Sequence, residues 1–204
     1  MIKKDRTSLQ NYRLPDSYAD SLIALRKELH QNAELSGKEE KTRQIVFDFI
    51  SRNAPHKIIS PIGGNGIACI YQAEFTGPAL LFRAEMDALP IEEKNDLNYK
   101  SQNSNVSHSC GHDGQMAILA GLSGLLHKNP LKRGKVILLF QPAEETGQGA
   151  ITMISDPKFK QLRPDYVFAL HNMPGEDKGT VSIGAGVFNC ASVGMIIRLA
   201  GKTA

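Results

Sequence analysis

Three short apolar runs constrain this chain more than any other feature: Ala79-Leu80-Leu81-Phe82, Val136-Ile137-Leu138-Leu139-Phe140 and Asp165-Tyr166-Val167-Phe168-Ala169-Leu170. Such runs, short and with little alternation, suit strands covered on both faces. A longer apolar stretch at helical spacing separates the first two, running from Asp113 through Met116, Ile118, Leu119, Leu122, Leu125 and Leu126. Its small residues, Ala117, Ala120, Gly121 and Gly124, allow close packing. A shorter helical stretch over 147–154 separates the second and third. Strand, helix, strand, helix, strand predicts an α/β fold with a parallel sheet.

Upstream, Asp16 or Ser17 can open a helix carrying Leu22, Leu25 and Leu29 and closed by His30, which reads as a solvated histidine favoured by the helix dipole. Ser36-Gly37-Lys38-Glu39 has the form of a capping box for a second helix, with a buried stripe of Ile45, Val46, Phe49 and Ile50 and a stop at Pro55. Residues 67–73 and 79–84 read as strands joined by a hairpin turn at Thr76-Gly77-Pro78. Gly63-Gly64-Asn65-Gly66 is a turn; no helical pattern follows it, so it is not a dinucleotide fingerprint. Residues 180–184 and 192–199 read as further strands.

The chemistry gathers where the apolar runs stop. The first ends in Arg83-Ala84-Glu85-Met86-Asp87, the second in Gln141-Pro142-Ala143-Glu144-Glu145, the third in His171-Asn172. In open α/β sheets, ligands collect beyond the carboxyl ends of strands. The polar stretch 91–107 then leads into Cys110-Gly111-His112-Asp113, a thiol and an imidazole aimed from one glycine-containing turn. Singly, each has a bland reading: a chance Cys-x-His pair, a solvated carboxylate corner, a satisfied core histidine. Arg83 to Asp87 is equally a site rim or an exposed ion pair. Together, Cys110, His112, Glu145 and His171 form a thiolate, imidazole and carboxylate donor set suited to divalent metal, with Glu144 beside it as a base. Cys110 as a nucleophile served by His112 is disfavoured, because such pairs converge from separate elements.

Composition excludes several classes. A net charge of +3, with no Lys/Arg run interleaved with aromatics, argues against nucleic acid. No run approaches the ~18 apolar residues of a membrane span, and no apolar stretch follows Lys3-Lys4, so neither a membrane partner nor a secretory signal is expected. Three widely spaced cysteines, Cys69, Cys110 and Cys190, fit a reducing, cytoplasmic setting better than a disulfide framework.

The motifs carry a resemblance. Leu29-His30 with Glu34-Leu35, Arg83-Ala84-Glu85-Met86-Asp87-Ala88-Leu89-Pro90, Cys110-Gly111-His112-Asp113-Gly114, Phe140-Gln141-Pro142-Ala143-Glu144-Glu145, Leu170-His171 and Gly201-Lys202-Thr203-Ala204 resemble, in order, the dinuclear metallo-amidohydrolases that include aminoacylases, hippurate hydrolase and indoleacetyl-amino-acid hydrolases. The resemblance implies a three-layer, zinc-peptidase-like catalytic domain with a mostly parallel central sheet, incomplete at its C-terminus. It implies two divalent ions, manganese or zinc first and nickel or cobalt as alternatives, held by Cys110, His112, Glu145 and His171. Glu144 would be the general base in a metal-activated attack of water on the amide of a small N-acyl amino acid or peptide-like substrate. Asp87 and Asp113 would orient ligand imidazoles. Residues 1–188 would be the N-terminal part of the catalytic domain, and 189–204 the first strand of a lid domain. Glu85 stands where the family usually has Asp, Gln115 where a His is common, and Ala33 where a Pro is common. The family continues past Gly-Lys-Thr-Ala into a lid histidine, a final ligand and further strands. The expectation is therefore a truncated chain. It would work with a homo-oligomeric partner or a separately encoded C-terminal half, or else persist as an inactive metal-binding fragment.

Overall fold

The computed structural model describes residues 14–177, 179–187, 195 and 197–201. The chain divides into two compact units, and the larger, Leu14–Asn172, holds every regular element described below. In the other unit the described residues 180–184 form no strand, contrary to the sequence pattern. Of the strand expected over 192–199, the described residues 195 and 197–199 are in no strand; residues 192–194 and 196, and most of the expected lid segment 189–204, lie outside the described residues.

Two helices open the larger unit, α1 (Asp16–Gln31) and α2 (Glu40–Ser51). A hairpin follows, β1 (Lys57–Ile62) and β2 (Gly66–Gln72), turning at residues 63–65. Then come β3 (Ala79–Glu85), α3 (His112–Lys128), β4 (Lys135–Gln141), α4 (Gly149–Ser155), a 3-10 turn at Phe159–Gln161 and β5 (Tyr166–Ala169).

The sheet order is β1-β2-β4-β3-β5. β3 pairs in parallel with both β4 and β5, as the strand–helix alternation predicts. β1–β2 and β2–β4 are antiparallel, so the sheet is mixed. The hairpin expected at Thr76-Gly77-Pro78 does not form. β4 inserts between β2 and β3 and hydrogen-bonds to both, so the 73–78 connection passes the end of β4.

Alternation along the strands divides the core between two faces. Ile67, Cys69, Tyr71, Val136, Leu138 and Phe140 face α1, α2 and α3, meeting Leu25, Leu29, Val46, Ile50 and Met116. Ala68, Leu81, Ile137 and Leu139 face the other way, against Met153 of α4 and Leu162. Helices thus cover both faces, the three-layer arrangement expected. Cys69 is fully buried, and burial pushes its thiol up to about 12, as for an inert core residue. α1 lies tightly on α3: Tyr18 Oη donates to the Gly121 carbonyl at 3.0 Å and accepts from Gly124 N at 3.1 Å. A Cβ on Gly124 would sit 2.1 Å from that oxygen, so the glycine is needed for the approach.

Three local expectations change. β5 is not buried: Val167 is 63% exposed and Phe168 47%, because among the described strands only β3 lies beside it, although Phe168 stacks on Phe82. The capping box does not form either. Glu34, from before the turn, accepts from Lys41 N, Thr42 N and Thr42 Oγ1, placing a carboxylate on the first turn of α2 where the helix dipole favours it. Ser36 instead donates to Asp87 Oδ2 at 2.6 Å. Finally, His30 is buried rather than solvated, with Asp113 Oδ2 at 2.9 Å from Nδ1 and Glu93 Oε1 at 3.0 Å from Nε2.

Candidate metal centre

The carboxyl ends of β3, β4 and β5 and the N-terminus of α3 meet at one place, and there the sequence-predicted donors converge. Cys110 Sγ, a ring nitrogen of His112 and one of His171 lie within 4.8 Å of one another, and so do donor atoms of His112, Glu144 and Glu145. His112 belongs to both groups and joins them into one site.

Local structure explains the convergence. Gly111 sits at φ 92°, a left-handed conformation that costs a side-chain-bearing residue energy, and it turns the chain from Cys110 into α3. A Cβ there would also meet Asn172 Oδ1 at 2.6 Å. Ala143 takes φ 53° after β4 and swings Glu144 and Glu145 toward His112. Two carboxylates hold that turn from outside it. The buried Glu39 accepts from Ala143 N at 2.8 Å, and the buried Asp87 accepts from Glu145 N at 2.9 Å. Neither role was legible in sequence, because each partner is more than fifty residues away.

The tautomers follow from the backbone. His112 Nδ1 lies 2.8 Å from the Asp87 carbonyl, and His171 Nδ1 lies 2.8 Å from the Asn172 carbonyl. A carbonyl only accepts, so both Nδ1 atoms carry the proton, and each ring when neutral presents a lone pair at Nε2. His112 Nε2 is buried, is 3.9 Å from both Glu144 Oε2 and Glu145 Oε1, and has no hydrogen-bond partner; Glu145 Oε1 is likewise buried and unpartnered. Buried polar atoms are ordinarily satisfied. A lone-pair nitrogen and a carboxylate oxygen left open toward each other, beside a thiol and a second imidazole, fit a bound divalent cation.

The electrostatics point the same way. Burial, then Glu145, Glu144 and Glu85, push the Cys110 thiol up to about 12. That is the reverse of an activated thiol nucleophile, although His171 Nε2 lies 3.5 Å from its sulfur. A cation would convert the same group to a bound thiolate. Burial, then the charges of Glu145 and Glu85, also raise Glu144 above the ordinary carboxylate range. Burial alone would raise Asp87, but the His112 ring 3.7 Å from its Oδ1 and hydrogen bonds from Ser36 and the Glu145 backbone bring it down to about 2.

Asp87 therefore sits against His112, with its carbonyl on Nδ1 and Oδ1 at 3.7 Å. Asp113 does not reach a ligand imidazole through its carboxylate, which bonds Arg26 Nε at 2.9 Å and His30. Sequence reasoning also passed over His108. It is buried, neither ring nitrogen has a partner, and burial lowers it to about 4. Its place two residues before Cys110 was the available signal. Glu85, one methylene longer than the family's usual Asp, bonds Arg83 at 2.8 Å and reaches Gln115, the other departure in this region.

A mixed α/β sheet with helices on both faces thus presents a thiol, imidazole and carboxylate cluster beyond its parallel strand ends, a donor set suited to divalent metal. Residues 81–199 match the family model for peptidase family M20/M25/M40, and the chain belongs to that family. It is 38% identical over 185 residues to the N-acetyl-L-cysteine deacetylase of Bacillus subtilis, a match covering 90% of this chain and 44% of that protein. It is 32% identical over 180 residues to the N-acetyldiaminopimelate deacetylase of Anoxybacillus flavithermus, covering 88% and 47%. Among solved structures, the Bacillus subtilis YXEP protein, described as a dinuclear metal binding peptidase from the M20 family, superposes with a TM-score of 0.73 at 30% identity. That match covers 79% of this chain and 45% of the other. The chain spans about half the length of the relatives it matches. No helix among the described residues is long and apolar enough to cross a membrane.

Proposed function

We propose that this chain carries the ligand-bearing part of a metal-dependent amidohydrolase that cleaves the amide bond of small N-acyl amino acids. The single observation that carries the reading is the pair of open, buried donor atoms, His112 Nε2 and Glu145 Oε1, facing the space shared with Cys110 and His171. The deacetylase relatives supply the substrate class, with an N-acetyl group as the first choice of acyl group.

The roles divide by position. Cys110, His112, Glu145 and His171 would hold two divalent ions, manganese or zinc by the mixture of thiolate, imidazole and carboxylate donors. Bound there, such ions would supply Lewis-acid chemistry, polarising the scissile carbonyl and acidifying water. Asp87 fixes the His112 ring through its carbonyl and the Glu145 backbone through its carboxylate. Glu144 is the proton carrier: its side chain keeps 39% exposure, and its raised affinity for protons suits a group that takes one from water and gives it to the departing amine.

The test is hydrolysis of N-acetylcysteine with added manganese or zinc, with metal content measured in parallel. Glu144→Gln should retain metal and lose about 10²–10⁴-fold in rate, the usual contribution of a general base. Chelator-insensitive hydrolysis, or a Glu144→Gln rate within a few-fold of the parent, refutes the assignment. Stoichiometric metal binding without turnover would support the ligand assignment and refute the hydrolytic role for this chain by itself.

A further inference from the structure

His171 is the ligand with the least support of its own. It is exposed, and its hydrogen-bonding contacts are Cys110 Sγ and the carbonyl of its neighbour Asn172. The sheet does not hold it: pairing between β3 and β5 ends at Arg83 and Ala169, two residues earlier. Something else must fix the backbone at 170–172 if the imidazole is to face Cys110 and His112.

We infer that Gln115 is the positioning residue for His171, gripping the residues on both sides of it from one helical turn beyond His112; this rests on the metal-site reading above. Gln115 is 2% exposed. With both side-chain amides turned so that every donor meets an acceptor, its nitrogen donates to Glu85 Oε2 at 2.5 Å and to the Leu170 carbonyl at 3.3 Å, and its oxygen accepts from the Asn172 side-chain amide at 2.9 Å. Leu170 and Asn172 flank His171. The grip is anchored in turn. Glu85 also takes Arg83 Nη1 at 2.8 Å, and Arg83 Nε donates to Gln141 Oε1 at 2.8 Å, on the strand that leads to Glu144 and Glu145. Gly111 packs against the Asn172 side chain from the Cys110 turn. One polar strut, buried at Gln115 and Glu85, thus ties together the ends of β3, β4 and β5 and the start of α3, the four places from which the site is built.

A neutral amide suits this position. It offers two donors and an acceptor in one plane, which a carboxylate or an alkyl group of the same size does not. Gln115→Leu removes every contact; Gln115→Glu keeps the shape but sets a carboxylate against Glu85 and the Leu170 carbonyl. Partners that orient metal-binding imidazoles typically change metal affinity by about ten- to a hundredfold when lost.

The experiment is a cobalt titration of the full chain, read by the thiolate charge-transfer band and by the hyperfine-shifted exchangeable N–H signals of bound imidazoles. His112 and His171 each donate Nδ1–H to a backbone carbonyl, so each should contribute one signal; His171→Ala identifies its own. Gln115→Leu and Gln115→Glu should keep the band and the His112 signal. Both should lose or displace the His171 signal, with cobalt affinity about ten- to a hundredfold weaker. Asn172→Ala, a change at the exposed end of the same grip, should move the His171 signal alone in the same direction. Unchanged His171 signal and affinity in the Gln115 variants overturns the inference while leaving the metal site standing. So does loss of band and both signals together, which would mean general collapse. A parent chain with no band removes the metal reading, and the positioning role with it.

Discussion

His30 offers a sharp quantitative test of how the fold supports its site. Its ring sits between two buried carboxylates, Asp113 at 2.9 Å and Glu93 at 3.0 Å, with side-chain exposures of 7%, 1% and 4% for the three groups. Glu93 also accepts from Ser101 N, so the histidine ties the 91–107 loop to α1 and to the first turn of α3. His30→Ala leaves Asp113 with Arg26 and Glu93 with one backbone N–H. Removing one partner from a buried ion pair costs about 3–5 kcal/mol. Two charge-assisted hydrogen bonds at about 1.5–3 kcal/mol each lead to a similar figure. For a domain of this size that lowers the melting temperature by about 6–20 °C.

The pH dependence carries a sign. Asp113 raises His30 above its ordinary 6.5 by hydrogen bonding, against a smaller opposing effect of burial, and Glu93 adds to the rise. The contribution of His30 is thus fully present below 6.5 and is lost as pH climbs through the higher folded value. Burial would raise Asp113 and Glu93; hydrogen bonds, from His30 to Asp113 and from Ser101 and then His30 to Glu93, instead bring them below 3.8 and 4.5. Their contributions are present above those ordinary values and are lost as pH falls through the lower folded ones. The difference between parent and His30→Ala in urea unfolding should therefore peak between about pH 5 and 6.5 and shrink on both sides. A cost below about 1 kcal/mol at pH 6, the range of an exposed pair, or one that grows steadily above pH 7, refutes the buried clasp.

Other outcomes follow from the same contacts. Manganese or zinc at a hundred times its dissociation constant should stabilise the chain by about 2.7 kcal/mol in thermal unfolding, and His112→Ala should abolish that gain. Gly111→Ala should cost at least about 1–2 kcal/mol for the left-handed backbone alone, with a further loss of metal affinity as the methyl displaces Asn172; metal binding unchanged from the parent would refute the close packing. Glu34→Ala should cost about 0.5–2 kcal/mol, the range for loss of a helix cap, whereas Lys38→Ala, at an exposed position in the same turn, should be within about 0.5 kcal/mol.

The sequence alone determined most of the regular elements up to β5 and the chemistry held within one turn. Period-two and period-3.6 patterns record which side of an element is apolar. The α1, α2, α3 and β4 segments, both faces of the core and the Cys110-Gly111-His112 hook were therefore legible from neighbouring residues. The same patterns do not record which strand lies beside which. β4 enters between β2 and β3 because both can pair with it, and β5 keeps its apolar side chains exposed at an edge that its composition did not reveal. The supporting polar contacts were hidden for a related reason. Ser36 on Asp87, Glu39 on Ala143, His30 between Asp113 and Glu93, and Gln115 against Leu170 and Asn172 join residues that only the folded chain brings together. Hydrogen bonds and ion pairs are set by distances of a few ångströms, and between residues fifty or more apart in sequence only the tertiary structure decides those distances.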